Sequence, residues 1–120
     1  MGENKMRDIL IGLSKSSIES VFKVKKYSKE ILEEDLERIL FIRNLIEDEA
    51  EFIKVQCKEI NIEQYVNELK NFALELFINQ CVEAIPIEDK NKYDFDFKEH
   101  KDGCRDYFNY IYLNLEYPYW

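Results

Sequence analysis

His100 is the only histidine in the chain, and Cys104 follows it by four residues. On a helix this spacing puts an imidazole and a thiol on one face, as some zinc sites do. The other thiols, Cys57 and Cys81, lie far away in sequence, and the close-spaced ligand pairs of a structural zinc site are missing. The three cysteines therefore read as small buried hydrophobes, with no metal and no cofactor. His100 and Arg105 also bring together a base and a phosphate-binding cation. The helical ribonucleases of the HEPN type place the arginine before the histidine, and here the order is reversed.

Carboxylates come in two clusters, Glu33, Glu34, Asp35 and Glu37, then Glu47, Asp48, Glu49 and Glu51. A carboxylate-bridged di-metal bundle needs Glu-x-x-His pairs on facing helices, and neither cluster has one. Glu68-Leu69-Lys70 has part of the PD-(D/E)xK nuclease signature but lies in a helical pattern without an upstream strand and aspartate. Three isolated glycines cannot build a phosphate-cradling loop, and no Gly-x-Ser-x-Gly elbow is present. These absences direct the reading away from an enzyme.

The remaining chemistry is that of contact surfaces. Tyr93, Phe95 and Phe97 interleave with Asp94 and Asp96, and Tyr107, Phe108, Tyr110, Tyr112, Tyr117, Tyr119 and Trp120 crowd the C-terminal segment. Tyrosine and tryptophan anchor protein interfaces because they bury a large area at low entropic cost and keep a polar tip. Acidic groups beside them suit a basic partner. The candidate interface is therefore Glu33, Glu34, Asp35 and Glu37, with Tyr93, Asp94, Phe95 and Asp96, and with Tyr117, Tyr119 and Trp120. The competing reading is that the rings close the open side of a helical core.

The elements that carry these residues fit in one domain of 120 residues, 46% hydrophobic, with a net charge of −8. Residues 1–29 hold seven basic and three acidic groups, so a basic head precedes an acidic body. That body disfavours direct binding of nucleic acid or of an anionic membrane. The longest uncharged run, residues 107–115, is far short of a membrane span. No secretory h-region is evident, and three unpaired, widely spaced cysteines suit a reducing, cytoplasmic setting.

The fold class read from the pattern is all-α or nearly so, a small bundle around a long antiparallel helix hairpin. Short basic N-terminal helices occupy 4–27. The first has Met6, Ile9, Leu10 and Leu13 as its face, and a Ser16–Glu19 capping box can start the second through about Tyr27, with a strand at the β-branched or aromatic Val21, Phe22 and Val24 as the alternative. The hairpin spans 28–85: one helix over 28–60 with Ser28 as N-cap and room for a kink or break near Glu47–Ala50, where the apolar stripe shifts, and a second starting at Asn61 and Gln64 and ended by Pro86. Residues 86–120 form an aromatic segment. Its alternation at 93–97 suggests an extended stretch, and Asp102-Gly103 suggests a turn. Cys104–Leu115 fits either a helix, the favoured reading, or a short β-ribbon.

On this basis the chain is expected to be a non-enzymatic, acidic protein-binding module. It would act as a stoichiometric inhibitor of a basic nucleic-acid-processing protein, its carboxylates standing in for phosphates. Immunity proteins and phage anti-defence proteins, including anti-CRISPR proteins, offer an analogy of size and charge. The alternative is a homo-oligomeric structural or regulatory adaptor, such as a homodimer, whose apolar hairpin face pairs with another helix.

Overall fold

The computed structural model describes residues 2–23 and 33–113, with side chains from Lys5 onward within them. The described chain is all-α: α1 (Gly2–Val21), α2 (Glu33–Gln56), α3 (Ile62–Glu83), the single turn α4 (Ile87–Lys90) and α5 (Phe97–Tyr112). There is no β-strand among the described residues, so the C-terminal ribbon gives way to a helix. Ser28 and the terminal rings Tyr117, Tyr119 and Trp120 lie outside the described residues.

α2 and α3 are the expected antiparallel hairpin. Asn61 caps α3, its side-chain oxygen accepting from the Gln64 backbone N–H at 3.1 Å. Cys57 and Ile60 are buried in the connecting turn, where the Ile60 N–H donates to the Cys57 carbonyl. α2 runs unbroken through Glu47–Ala50, without the break that the stripe shift allowed, because its buried Ile39, Ile42, Ile46 and Ile53 keep one helical stripe. Arg38 reaches Gln80 across the hairpin, and Tyr65 reaches Glu49, which fixes the antiparallel sense.

The other two long helices flank this pair. α1 runs parallel to α3, with Ser14 against Tyr65 and the Phe22 carbonyl against Gln80. α5 runs antiparallel to α3, with Phe108 on Phe77 and Lys70 over Tyr112. Both flanking helices touch α2 and α3, and they do not touch each other. The result is an up-down-up-down bundle in which α2 and α3 form the short diagonal. Tyr107 stacks on Phe77, Phe108 lies tilted against Phe77, and Tyr112 stacks on Phe108, so these rings do close the core.

Four local expectations are corrected. The N-terminal helices are one helix, α1, because Ser17 and Ser20 donate their hydroxyls to the carbonyls of Leu13 and Ser16 instead of starting a new turn. The buried face of α1 is Ile11, Ser14 and Ile18, while Met6, Ile9 and Leu13 are exposed. Ser14 leaves room for the Tyr65 hydroxyl, 3.3 Å away, which a larger apolar residue would strand without a partner. Pro86 does not directly end α3, which stops at Glu83; it stands instead as the N-cap of α4. Asp102 and Gly103 lie inside α5 rather than in a turn.

An ion cluster holds α1 to α3. Glu68 accepts from Arg7 at 3.0 Å and lies 3.3 Å from Lys15. The Arg7 hydrogen bond, with help from Lys15 and against a small cost of burial, holds the Glu68 carboxyl below its ordinary value of 4.5. Its contribution to stability is therefore present above that unfolded-state value and is lost as pH falls through the lower folded-state value. Glu68→Gln should lower the melting temperature at pH 7 and flatten its decline between about pH 5 and pH 3. A decline as steep as the parent's would show that other carboxylates carry it.

Packing gives a second expectation, checked by urea denaturation. Phe108 is fully buried between α3 and α5, so Phe108→Ala should cost about 3–5 kcal/mol. A Cβ added at Gly103 meets nothing within 4 Å, so Gly103→Ala should stabilise α5 by about 0.5–1 kcal/mol.

Candidate functional site: the acidic end of the bundle

α2 and α5 both start at the end of the bundle where α1 and α3 finish. The first turn of α2 carries Glu33, Glu34 and Asp35, and the start of α5 carries Asp96 and Glu99. Carboxylates at helix starts are favoured by the positive end of the helix dipole, which explains locally why acid collects here. Two of the acidic groups expected from the sequence thus share one end of the molecule.

The deeper feature is an open cleft of about 480 Å³ between α4 and the start of α5. Asp89, Lys92, Asp94, Phe95, Asp96, Glu99 and His100 line it. Asp96 is committed to the fold, since its side chain accepts from the Glu99 N–H at 3.0 Å and caps α5. Asp89 is paired with Lys92 at 3.2 Å. Asp94 and Glu99 have no side-chain partner among the described residues, and Asp94 is exposed. Phe95 forms the apolar wall, with the Phe97 ring edge-on at 4.6 Å and the His100 ring at 6.3 Å. Four carboxylates face one ammonium, so the cleft suits a cationic group able to lie against an aromatic ring.

Beside the first turn of α2 lies a shallower groove of about 410 Å³, lined by Val21, Glu34, Glu37, Arg38 and Phe41. Glu33, Glu34 and Glu37 are exposed. Asp35 is not: only 1% of its side chain is accessible, and it lies 3.8 Å from Arg38. Arg38 donates to Gln80, and Gln80 donates to the Phe22 carbonyl, both at 3.0 Å. Asp35 therefore belongs to a buried polar chain joining α1, α2 and α3 and is withdrawn from the contact surface. Its spacing to Ile39 and Ile42, four and seven residues, was the available signal that it lies on the core face.

The alternation at 93–97 does not make a strand. Residues 91–96 turn from α4 into α5, leaving Tyr93 fully exposed and Phe95 half-buried. Sequence reasoning missed Asp89, Lys92, Glu99 and His100 as cleft residues, because only the turn after α4 brings them next to Asp94 and Phe95.

The other chemistry considered from the sequence is weakly organised. His100 Nε2 lies 3.9 Å from Cys104 Sγ, at the limit of a sulfur hydrogen bond. Cys57, Cys81 and Cys104 are all buried and form no disulfide. No cluster of three or more His, Cys, Asp or Glu able to hold a metal ion occurs among the described residues. Midway along α2 Arg43 donates to the Ile111 carbonyl at 3.3 Å, supporting the last turn of α5. Burial there, with the Glu47 charge adding and Arg43 opposing, pushes the Tyr112 hydroxyl up to about 12. No helix among the described residues is long and apolar enough to cross a membrane. No protein family matches the chain, and neither a curated protein nor a solved structure does.

Proposed function

We propose that the protein is a non-enzymatic, stoichiometric binder of a basic protein, which it meets with the acidic end of its bundle. The observation that carries this reading is the cleft between α4 and α5, where Asp94 and Glu99, without side-chain partners, flank the Phe95 ring. A partner lysine or arginine entering it gains carboxylate acceptors and an aromatic face together. Glu33, Glu34 and Glu37 extend the negative surface along the start of α2 and steer such a partner during encounter. Carboxylates spread over one end of a rigid body are a fair substitute for a phosphate backbone. The target is accordingly a nucleic-acid-processing protein whose basic surface the binder occupies, in the manner of immunity and phage anti-defence inhibitors. That choice of target rests on charge and size alone.

The test is affinity capture from host lysate at low and high salt, followed by measurement of the retained partner's affinity. One basic protein at equal stoichiometry, released by salt and displaced by nucleic acid, is the expected outcome. The variants Asp94→Asn/Glu99→Gln and Glu33→Gln/Glu34→Gln/Glu37→Gln should each weaken it about tenfold, since each exposed charge contributes about 0.2–1 kcal/mol. Asp35 and Asp96 are left intact because both support the fold. A complex indifferent to salt and to both sets of changes would overturn the proposal, as would the absence of any retained partner.

A further inference from the structure

α1 has two apolar faces and the bundle uses one. Ile11 and Ile18 go inside, while Met6, Ile9 and Leu13 stay 47%, 54% and 63% exposed. Lys5, Met6, Ile9 and Leu10 border an apolar groove of about 350 Å³ on this outer face. Exposed apolar residues of α2 lie near the two ends of α1. Met6 Sδ lies 3.5 Å from Cys57 Sγ, one turn or so beyond Phe52 and Val55, and Val21 shares a groove with Phe41. Three exposed apolar side chains bordering one groove, on a chain with 35% charged residues, mark a contact surface.

The face is shaped to receive itself. Ile9 and Leu13 stand in one row of the helix surface, four residues apart, and Gly12, Ser16 and Ser20 stand in the next. The first row is a ridge and the second a shallow groove. A Cβ at Gly12 would meet nothing within 4 Å, so the groove floor is open. Ser20 gives its hydroxyl to the Ser16 carbonyl, and Ser17 gives its own to Leu13, so neither needs water to satisfy it. Of the outward charges, the exposed Asp8 is held by Arg7 of its own chain at 3.8 Å, and the remaining two are complementary end to end. Lys5 and Glu19, both exposed and without a side-chain partner among the described residues, lie seven residues to either side of Gly12.

We propose that this face pairs with the same face of a second copy, α1 against α1 in antiparallel sense about a two-fold axis near Gly12. The ridge of each copy then enters the groove of the other, and Lys5 of each meets Glu19 of the other, twice by symmetry. A parallel pairing would set Lys5 against Lys5 and Glu19 against Glu19, and is disfavoured. This inference does not rest on the acidic-end reading. The hairpin faces of α2 and α3 are covered by α1 and α5, so the outer surface of α1 takes the role that the sequence suggested for the hairpin.

Sedimentation equilibrium of the full chain tests it. The expected mass is twice 14.6 kDa at about 10–100 µM, retained at high salt, where a complex made by the acidic end is released. Ile9→Glu/Leu13→Glu should give a monomer with the parent's helical circular dichroism and urea midpoint, because both positions are solvent-exposed in the single chain. If that pair disturbs folding, Ile9→Ser/Leu13→Ser serves the same purpose. Lys5→Glu alone should raise the dissociation constant about five- to tenfold, and Lys5→Glu/Glu19→Lys should restore it to within about twofold. A single-chain mass at every concentration, a dimer untouched by the Ile9 and Leu13 changes, or failure of the charge exchange to restore affinity would each overturn the proposal.

Discussion

Gln80 accepts from Arg38 with its side-chain oxygen and donates to the Phe22 carbonyl with its nitrogen. Through it one buried polar chain, begun by the inaccessible Asp35, ties the end of α1 and the start of α2 to the end of α3. A buried carboxylate, guanidinium and amide are tolerable only when their bonding needs are met together, and breaking one partner exposes the others to an unpaired, dry environment. The chain therefore fixes which turn of each helix sits opposite which. With that end set, Tyr65 bridging Ser14 and Glu49 aligns the same three helices about four turns further along. The apolar stripe of α3 between these points, Leu69, Ala73 and Phe77, packs in a register the polar groups have already chosen.

Much of this was legible in the residues. The Asn61–Gln64 cap, the isoleucine stripe of α2 and the Cys104, Tyr107, Phe108 and Ile111 face of α5 all follow from helical periodicity and local hydrogen bonding. What was not legible has a common cause. α1 offers two apolar faces of similar strength, and periodicity has no means of ranking them. The choice falls to Tyr65, whose hydroxyl needs the small polar Ser14 opposite it. Asp102-Gly103 resembles a turn locally, but the buried face of Cys104, Phe108 and Ile111 and the Asp96 cap at the start of α5 carry the helix through the glycine.

The acidic end shows the same division between local and tertiary information. Composition locates the carboxylates, and helix starts attract them. Composition does not separate Asp35, used by the fold, from Glu34, one residue earlier and exposed. Nor does the alternation at 93–97 distinguish a strand from a turn followed by an N-cap, since five residues of period two are compatible with both. The cleft exists because α4 and α5 are joined by a tight turn that folds Asp89 and Lys92 back toward Glu99 and His100, a proximity no short-range pattern encodes.

The placement of the two surfaces has a consequence for how they would work together. α1 and α5 lie on opposite sides of the α2–α3 pair and never touch, so pairing through α1 leaves each copy's α4–α5 cleft uncovered. A dimer would then carry two acidic clefts facing away from the two-fold axis. With clefts held by rigid helices rather than linkers, a partner presenting two basic surfaces at the matching spacing would gain an intramolecular second contact, whereas a wrongly spaced partner would gain none. Charge also argues for this arrangement over a closer one. Each chain carries −8, and a contact through α1, away from the carboxylates at the starts of α2 and α5, would keep the acidic ends apart and limit their repulsion. The same separation leaves each binding event governed by a different force, apolar burial at α1 and screened electrostatics at the clefts, so ionic strength acts on one without undoing the other.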